Sequence, residues 1–251
     1  MNRVLFDSAE RDGGEAVFGG ERARHVWEVL GARAGDTVRA GETGGMRFDG
    51  ARVVSNGPDE CRLLLGTGKP PLPRAPWDLL LALPRPKCLR RLWPQIAALG
   101  PGRVYLTAAE KVEKDYWGST FLRPAVYSPL LLEGAAQAGD TVLPAVEVHR
   151  RLKPLVEDVL PGRYAEGRRL VAHPERDGAR NAEPGAPPDG GAGIVAVGPE
   201  GGWSDYELKM FEAAGFRRVS LGPRVLRTDT AVVALLAQAS LPRFFPHPTT
   251  T

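Results

Sequence analysis

The chain has 251 residues, 43% of them hydrophobic, with a net charge of +3 and a pI near 9.0. That length fills one large domain or two modest ones around a proper core. The longest apolar runs, Trp77–Leu83 and Ala231–Ala237, fall far short of the roughly 20 residues a bilayer crossing needs, which argues against a membrane-spanning helix. The amino-terminal MNRVLFDSAERDGG has no apolar run of signal-sequence length, and Cys61 and Cys88 form no repeated spacing, so a reducing cytoplasm is the expected setting. Neither CxxC nor HExxH occurs, and His25, His149, His173 and His247 are scattered, so no metal centre is expected. Up to residue 72, ten Lys/Arg stand against eleven Asp/Glu, and the basic excess lies beyond. A nucleic-acid partner would therefore meet a local patch rather than a uniformly basic surface.

In chain order, the first seventy residues alternate short extended segments (RVLF, DTVRA, MRFDGARVV, CRLLLG) with glycine-rich turns, the pattern of a small β-barrel. One helix interrupts them: over Glu21–Leu30, Ala23, Val26, Trp27 and Leu30 recur at helical spacing, and Gly31 follows as a stop. GKPPLPRAP at 68–76 reads as a linker, since proline favours extended, semi-rigid backbone, and sets a boundary between residues 1–72 and 73–251. Beyond it, strands alternate with helices, the mark of an α/β domain with a largely parallel sheet. Strands are expected at 77–83, 103–106, 169–172, 193–197 and 217–221. Helices are expected at Lys87–Leu99, with Pro94 a possible kink, and at Ser204–Ala214. There Ser204 and Glu207 form a capping box and Gly215 a stop. A last helix runs from about Thr228 to Ser240. It is so apolar over Ala231–Ala237 that burial on most sides is expected, against the sheet or a second subunit. The polar, Pro- and Gly-rich 174–193 reads as a surface loop.

Ligands of open α/β sheets bind beyond the carboxyl ends of strands. Three such ends carry HPE (173–175), GPEGGW (198–203) and GPRVLRTDT (222–230). The latter two are glycine-bearing turns into helices, where backbone N–H groups are free to meet a ligand. Tight-turn chemistry explains each loop taken singly, with Pro199 and Pro223 fixing φ. Neither matches a dinucleotide or P-loop fingerprint.

As a pair, GPEGGWSDYEL and LGPRVLRTDTA resemble the RsmE family of ribosomal RNA methyltransferases in the SPOUT (trefoil-knot) superfamily. HVWEVLGARAGDTV and LLEGAAQAGDTVLPAV extend the likeness over most of the chain. The resemblance implies a PUA-like RNA-binding barrel at 1–72 and a trefoil-knotted SPOUT domain at 73–251. It also implies a homodimeric working unit and S-adenosyl-L-methionine as cofactor. His173, Pro174, Glu175, Gly198, Pro199, Glu200, Gly201, Gly202, Leu221, Gly222, Arg224 and Leu226 would hold that cofactor. The implied reaction is methylation of a uridine at N3 in 16S ribosomal RNA. The imide proton leaves N3 and negative charge spreads to the carbonyl oxygens, so a cation, Arg227 and secondarily Arg224, is the candidate stabiliser. Asp229 or Glu200 is the candidate proton acceptor. Asp229 also suits a helix cap, and Arg227 a phosphate contact. The chain departs from the family's pattern at Gly31, at PQIAALG (94–100), at QAGD (137–140) and at Asp229, where glutamate is more usual. Arg22, Arg24, Arg33, Lys87, Arg90 and Arg91 are candidate RNA contacts, with Lys111, Lys114, Arg150, Arg151 and Lys153 in reserve. Trp27, Trp93 and Trp117 are candidates for base stacking, the first two also fitting core positions. The rival functions are another SPOUT RNA methyltransferase and a non-catalytic, RNA-binding assembly factor.

Overall fold

The computed structural model describes residues 3–164, 169–174 and 193–244, the last six without side chains. These fall into two compact units, one of residues up to Pro73 together with Leu131–Leu143, the other of Arg74–Leu130 and Pro144 onward. The segment Leu131–Leu143 lies well beyond the proline-rich linker in sequence, yet it folds with the first unit.

The first unit is a six-stranded mixed sheet. Its elements in chain order are β1 (Val4–Phe6), β2 (Arg11–Asp12), β3 (Glu15–Gly19), α1 (Gly20–Arg24), β4 (Thr37–Glu42), β5 (Arg47–Asn56) and β6 (Glu60–Leu64). The strand order is β1-β4-β5-β6-β3-β2, and only β1 and β4 pair in parallel. The expected helix over Glu21–Leu30 appears as α1 continued by a π-helical turn over His25–Val29, with Gly31 at φ +61° beyond it. Its Ala23 and Val26 join Phe6, Phe18, Phe48 and Leu63 in the core. Gly41 is required here, because a Cβ at that position would lie 2.4 Å from the Thr141 methyl. The distant segment is tied in by Arg3 N–H to the Ala136 carbonyl (3.0 Å) and the Thr141 hydroxyl to the Gly45 carbonyl (2.6 Å).

The second unit is built on a six-stranded, all-parallel sheet. Its strands are β7 (Trp77–Ala82), β8 (Arg103–Thr107), β9 (Ala145–His149), β10 (Arg169–Ala172), β11 (Gly193–Val197) and β12 (Arg217–Val219), in the order β12-β10-β11-β7-β8-β9. Its helices are α2 (Pro86–Leu99), α3 (Pro124–Ala138, entering the first unit at Leu131), α4 (Leu152–Pro154), α5 (Leu160–Arg163), α6 (Asp205–Ala213) and α7 (Thr228–Phe244). β7 and β11 are buried at every residue, as strands covered on both faces must be. Leu80 and Ala82 pack with Leu155, Leu160, Leu208 and Phe211 beneath α4, α5 and α6. The opposite face meets α7, which packs on β7, β11 and α2. Pro94 does not interrupt α2, and Gly100 at φ +71° ends it. Within the single chain the final helix is buried along one side. Val232, Leu235 and Leu236 are buried, whereas Val233 and Ala234 are half-buried and Ala237 is exposed, because only one side of α7 faces α2 and the sheet. Residues 175–192, most of the expected surface loop, lie outside the described residues.

Where β7 and β8 begin, a polar cluster, buried at Asp78, Tyr105 and Tyr164, ties the sheet to α5. Tyr164 donates to Asp78 Oδ2 (2.7 Å), and the Arg103 amide donates to Asp78 Oδ1 (2.7 Å). Arg163 bridges the Tyr105 hydroxyl (2.8 Å) and Glu147 (2.6 Å). Burial pushes the Asp78 carboxyl above its ordinary range, outweighing the hydrogen bonds that favour its charged form. A carboxyl that holds its proton more tightly when folded supports the native state at low pH, and that support is lost as pH rises through the folded-state value. Asp78→Asn keeps an acceptor for the Arg103 amide and offers an N–H to Tyr164. It is therefore expected to raise the melting temperature by about 2–4 °C near pH 7–8, with the gain vanishing towards about pH 4. Thermal denaturation across that range checks it, and a variant less stable than wild type at neutral pH contradicts it.

Candidate functional site

The parallel pairing of β10 with both β11 and β12 sets three strand ends side by side. The loops that leave them, with α7 as a wall, enclose a cleft of about 300 Å³. A volume of that order belongs to sites for small organic ligands.

The loop after β11 is the most tightly specified part. The Gly202 amide donates to the Pro199 carbonyl (2.8 Å), and Gly202 itself sits at φ +68°, a region that favours glycine. At Gly198 a Cβ would lie 3.2 Å from the Trp203 nitrogen and 3.3 Å from Gly202 Cα, so two backbone segments approach because no side chain intervenes. The expected capping box forms: Ser204 Oγ accepts from the Glu207 amide (3.4 Å), and Glu207 Oε2 accepts from the Ser204 amide (2.8 Å). Buried Glu207 also accepts from the Glu110 amide (2.7 Å), which fastens the loop after β8 to the same turn. Beside it, Lys111 Nζ donates to the Gly201 carbonyl (2.9 Å) and more weakly to that of Trp203 (3.5 Å). Trp203, 3% exposed, anchors the loop edge-on against Phe211.

The loop after β12 turns at Gly222, φ +99°, where the Ser220 hydroxyl both accepts from the Gly222 amide and donates to its carbonyl (3.1 Å each). From there Arg224, Val225, Leu226 and Arg227 run exposed along the rim, Val225 being 80% exposed, until buried Thr228 opens α7. After β10, the His173 amide donates to the Val219 carbonyl (3.0 Å), which ties the start of the first loop to the end of β12.

The cleft lining brings together His173, Pro174, Gly198, Pro199, Glu200, Gly201, Gly202, Leu221, Gly222, Arg224 and Leu226. Glu175 lies outside the described residues. Arg227 and Asp229 are not part of the lining. Arg227 is exposed at the rim, and Asp229 turns to α2, where its Oδ2 accepts from Arg91 (2.7 Å) and its Oδ1 from the Thr230 amide (3.0 Å). Arg91 holds the Asp229 carboxyl below its ordinary range, which makes it a poor proton acceptor at neutral pH. Glu200 accepts from the Arg85 amide (3.0 Å), which draws the start of α2 to the mouth of the cleft.

The basic residues expected to meet RNA divide. Lys87, Arg90 and Arg91 are exposed on α2, on the unit that bears the cleft. In the first unit, Arg24 is exposed, whereas Arg22 is committed to Glu10 through two bonds (2.7 and 2.5 Å), and Arg33 lies over the Trp27 ring at 3.9 Å. Trp93 is fully buried and donates to the Phe121 carbonyl, so it does not stack on bases. Trp117 carries Arg150 over its ring at 5.2 Å. Sequence reading missed Lys111 as part of the cleft, holding it only among reserve RNA contacts. The signal was available in the parallel order of strands, since the loop after β8 must emerge at the same end of the sheet.

Residues 70–240 match the family model of the RNA methyltransferase domain. The chain belongs to that family. Its relatives include the ribosomal RNA small subunit methyltransferase E of Treponema pallidum, 29% identical over 94% of this chain and 90% of the relative. A ribosomal RNA small subunit methyltransferase E of Synechocystis sp. is 53% identical over 45 residues, 18% of this chain and 15% of its own. Among solved structures, the ribosomal RNA small subunit methyltransferase E of Neisseria gonorrhoeae bound to S-adenosyl methionine shares the fold. Its TM-score is 0.73 at 20% identity, covering 96% of this chain and 98% of that one. The likeness to the RsmE family that the two glycine-bearing motifs carry thus extends over 94% of the chain and to its α/β fold.

Proposed function

We propose that this chain is an S-adenosylmethionine-dependent methyltransferase that modifies a uridine at N3 in 16S ribosomal RNA. The observation that carries the reading is the cleft itself. It is formed by glycine-bearing loops at three adjoining parallel strand ends, and its lining combines apolar Leu221, Leu226 and Leu235 with the glycine-bearing segment 198–202. A flat base packs well against leucine side chains, and glycine lets main-chain atoms approach a ligand closely. S-adenosylmethionine supplies a methyl group already activated on a sulfonium, so the protein's task is alignment.

The chain's own residues divide that task. The loop 198–203, braced by Glu207 and Lys111, gives the cleft a fixed wall. Arg227, exposed just outside it, is suited to stabilise negative charge as it develops on the uracil carbonyls. Asp229 serves in this reading as a clasp to Arg91 rather than as the base. Lys87, Arg90 and Arg91 on α2, with Arg224 and Arg227, offer a phosphate-binding rim that positions RNA without reading its sequence. The first unit is read as a PUA-like RNA-binding barrel and the second as a SPOUT domain. The reading gives the second unit a trefoil-knotted path. The reading further includes a homodimer, a cytoplasmic setting and no metal. No cluster of metal-binding side chains occurs among the described residues, and no helix there is long and apolar enough to cross a membrane.

Nucleoside mass spectrometry of 16S ribosomal RNA from a strain lacking the gene tests the assignment. Loss of N3-methyluridine, restored by the purified protein with S-adenosylmethionine, is the expected outcome. Loss of a different methylated nucleoside would move the activity to another RNA target. No change in any nucleoside, together with no cofactor binding, would favour the assembly factor.

A further inference from the structure

The six parallel strands of the second unit end at one edge of the sheet, and the cleft is built chiefly on the ends of β10, β11 and β12. The loop after β8 joins that half of the edge to the other. Near its start it is bonded to the cleft wall, the Glu110 amide to Glu207 (2.7 Å) and Lys111 to the Gly201 carbonyl (2.9 Å). Further along, on the short 3-10 helix Lys114–Gly118, it carries Trp117, which meets Arg150 from the end of β9. Trp117 is half-buried and Arg150 exposed, with the guanidinium 5.2 Å from the ring centroid. Among the described residues, no carboxylate pairs with Arg150 or with its exposed neighbours Arg151 and Lys114. These cations outnumber the nearby acids Glu113 and Asp115, and Glu113 already accepts from the Tyr116 hydroxyl (2.8 Å). The pair in the first unit shows the closed alternative. There Arg33 lies 3.9 Å over Trp27 and donates to the carbonyls of Trp27 and Ala32 (3.1 Å each). Arg150 makes no such bond among the described residues, so its N–H donors and its charge stay available. An indole beside an uncommitted guanidinium has the chemistry of a nucleotide site, since a base stacks on the ring and the guanidinium bonds a phosphate.

We propose that Trp117 and Arg150 form a subsite for an unpaired nucleotide of the substrate RNA, Trp117 taking the base by stacking and Arg150 the phosphate. This rests on the RNA reading above and extends it to the half of the sheet edge beyond the cleft. β9 lies three strand spacings from β11, about 14 Å at the usual separation, so the nucleotide held there flanks the target uridine and is not the target itself. Stacking needs a base free of its helix, so the subsite selects single-stranded RNA. Its role is positioning, which shows in substrate affinity rather than in the transfer step.

Fluorescence titration with a short oligouridylate, and with the same strand paired to oligoadenylate, tests the subsite without requiring methyl transfer. Trp117→Leu keeps an apolar side chain but no flat ring. It is expected to weaken the single strand by about tenfold and to leave the duplex within about twofold, with melting temperature and S-adenosylmethionine affinity unchanged. Trp117→Phe should bind the single strand nearly as wild type does, yet lose most of the RNA-induced quenching of tryptophan fluorescence. Arg150→Gln should reduce the salt slope of binding by about one. With ribosomal RNA as substrate, Trp117→Leu should raise KM by about tenfold and hold kcat within about twofold. Wild-type affinity of Trp117→Leu for the single strand, equal losses for strand and duplex, or undiminished quenching in Trp117→Phe would each overturn the subsite. Polyglutamate bound as tightly as oligouridylate would make the surface a general anion site and overturn it as well. Wild-type protein that binds neither RNA probe nor ribosomal RNA would overturn the RNA reading itself, a result distinct from all of these.

Discussion

Arg227→Ala is expected to lower the rate of methyl transfer to ribosomal RNA by about 100- to 1,000-fold, the usual cost of removing a group aimed at developing negative charge. Affinity for S-adenosylmethionine should stay within about twofold. The asymmetry follows from position. Arg227 is exposed and lies outside the cleft lining, whereas Arg224, three residues earlier in the same loop, lies within it. The Arg227 carbonyl is fixed by the Ala231 amide (2.8 Å), so the side chain leaves from a fixed point at the start of α7. A guanidinium in that place is available to a substrate arriving at the mouth without competing for the cofactor. Single-turnover methylation at saturating cofactor, paired with calorimetry, reads the two quantities separately. A parallel fall in both would reassign Arg227 to cofactor binding. A fall only in RNA affinity, with a reduced salt dependence, would make it a phosphate contact.

The carboxylate beside it teaches a different lesson. In sequence, Asp229 sits two residues from Arg227 in a run of helix-starting residues and is an equally good base or cap. The fold decides through a residue 138 positions away, since Arg91 on α2 bonds Asp229 and lowers its basicity. No local pattern encodes that contact. Lys111 is the same case, meeting Gly201 across 90 positions. Backbone-built parts were legible for the opposite reason. The turns at Gly198–Gly202 and Gly222 and the capping box at Ser204 and Glu207 depend on residues within a few positions of one another, so their chemistry is written locally.

Secondary structure divides along the same line. The strands of the parallel sheet centre announced themselves as apolar runs because both of their faces are buried. β9 is an edge strand with exposed and half-buried residues, and it carries no such run. Helix α3 escaped for another reason. PAVYSPLLLEGAAQA has prolines at 124 and 129 and small or apolar residues on every side, so it shows no stripe at helical spacing. Its second half belongs to the first unit, a long-range assignment that a linear division at the prolines had no means to register.

The Gly198 position carries the second large effect. Gly198→Val is expected to weaken S-adenosylmethionine binding by about 100-fold or more, and Gly198→Ala by about tenfold, in line with the ~1–3 kcal/mol that overpacking costs. The reason lies in what a new Cβ would meet. At Gly198 it presses on the Trp203 nitrogen and the Gly202 backbone at 3.2–3.3 Å. Those atoms have little freedom to withdraw. Gly202 is bonded to Pro199, Trp203 is locked against Phe211, and Ser204 is held by Glu207. The loop must then open at its ligand-facing side, which is the wall of the cleft. Gly201 is the internal control. The three nearest atoms a Cβ there meets all belong to the Lys111 side chain, its Cδ at 3.0 Å and its Cβ at 3.1 Å, so the crowding falls on a neighbouring side chain rather than on the backbone of the turn. Gly201→Ala should therefore retain more affinity than Gly198→Ala, although both remove a glycine from the same five-residue turn. Calorimetry on the two alanine variants, with melting temperatures to show that each is folded, measures the contrast. Equal losses would mean that glycine's backbone freedom, rather than the close approach at Gly198, shapes this wall of the site.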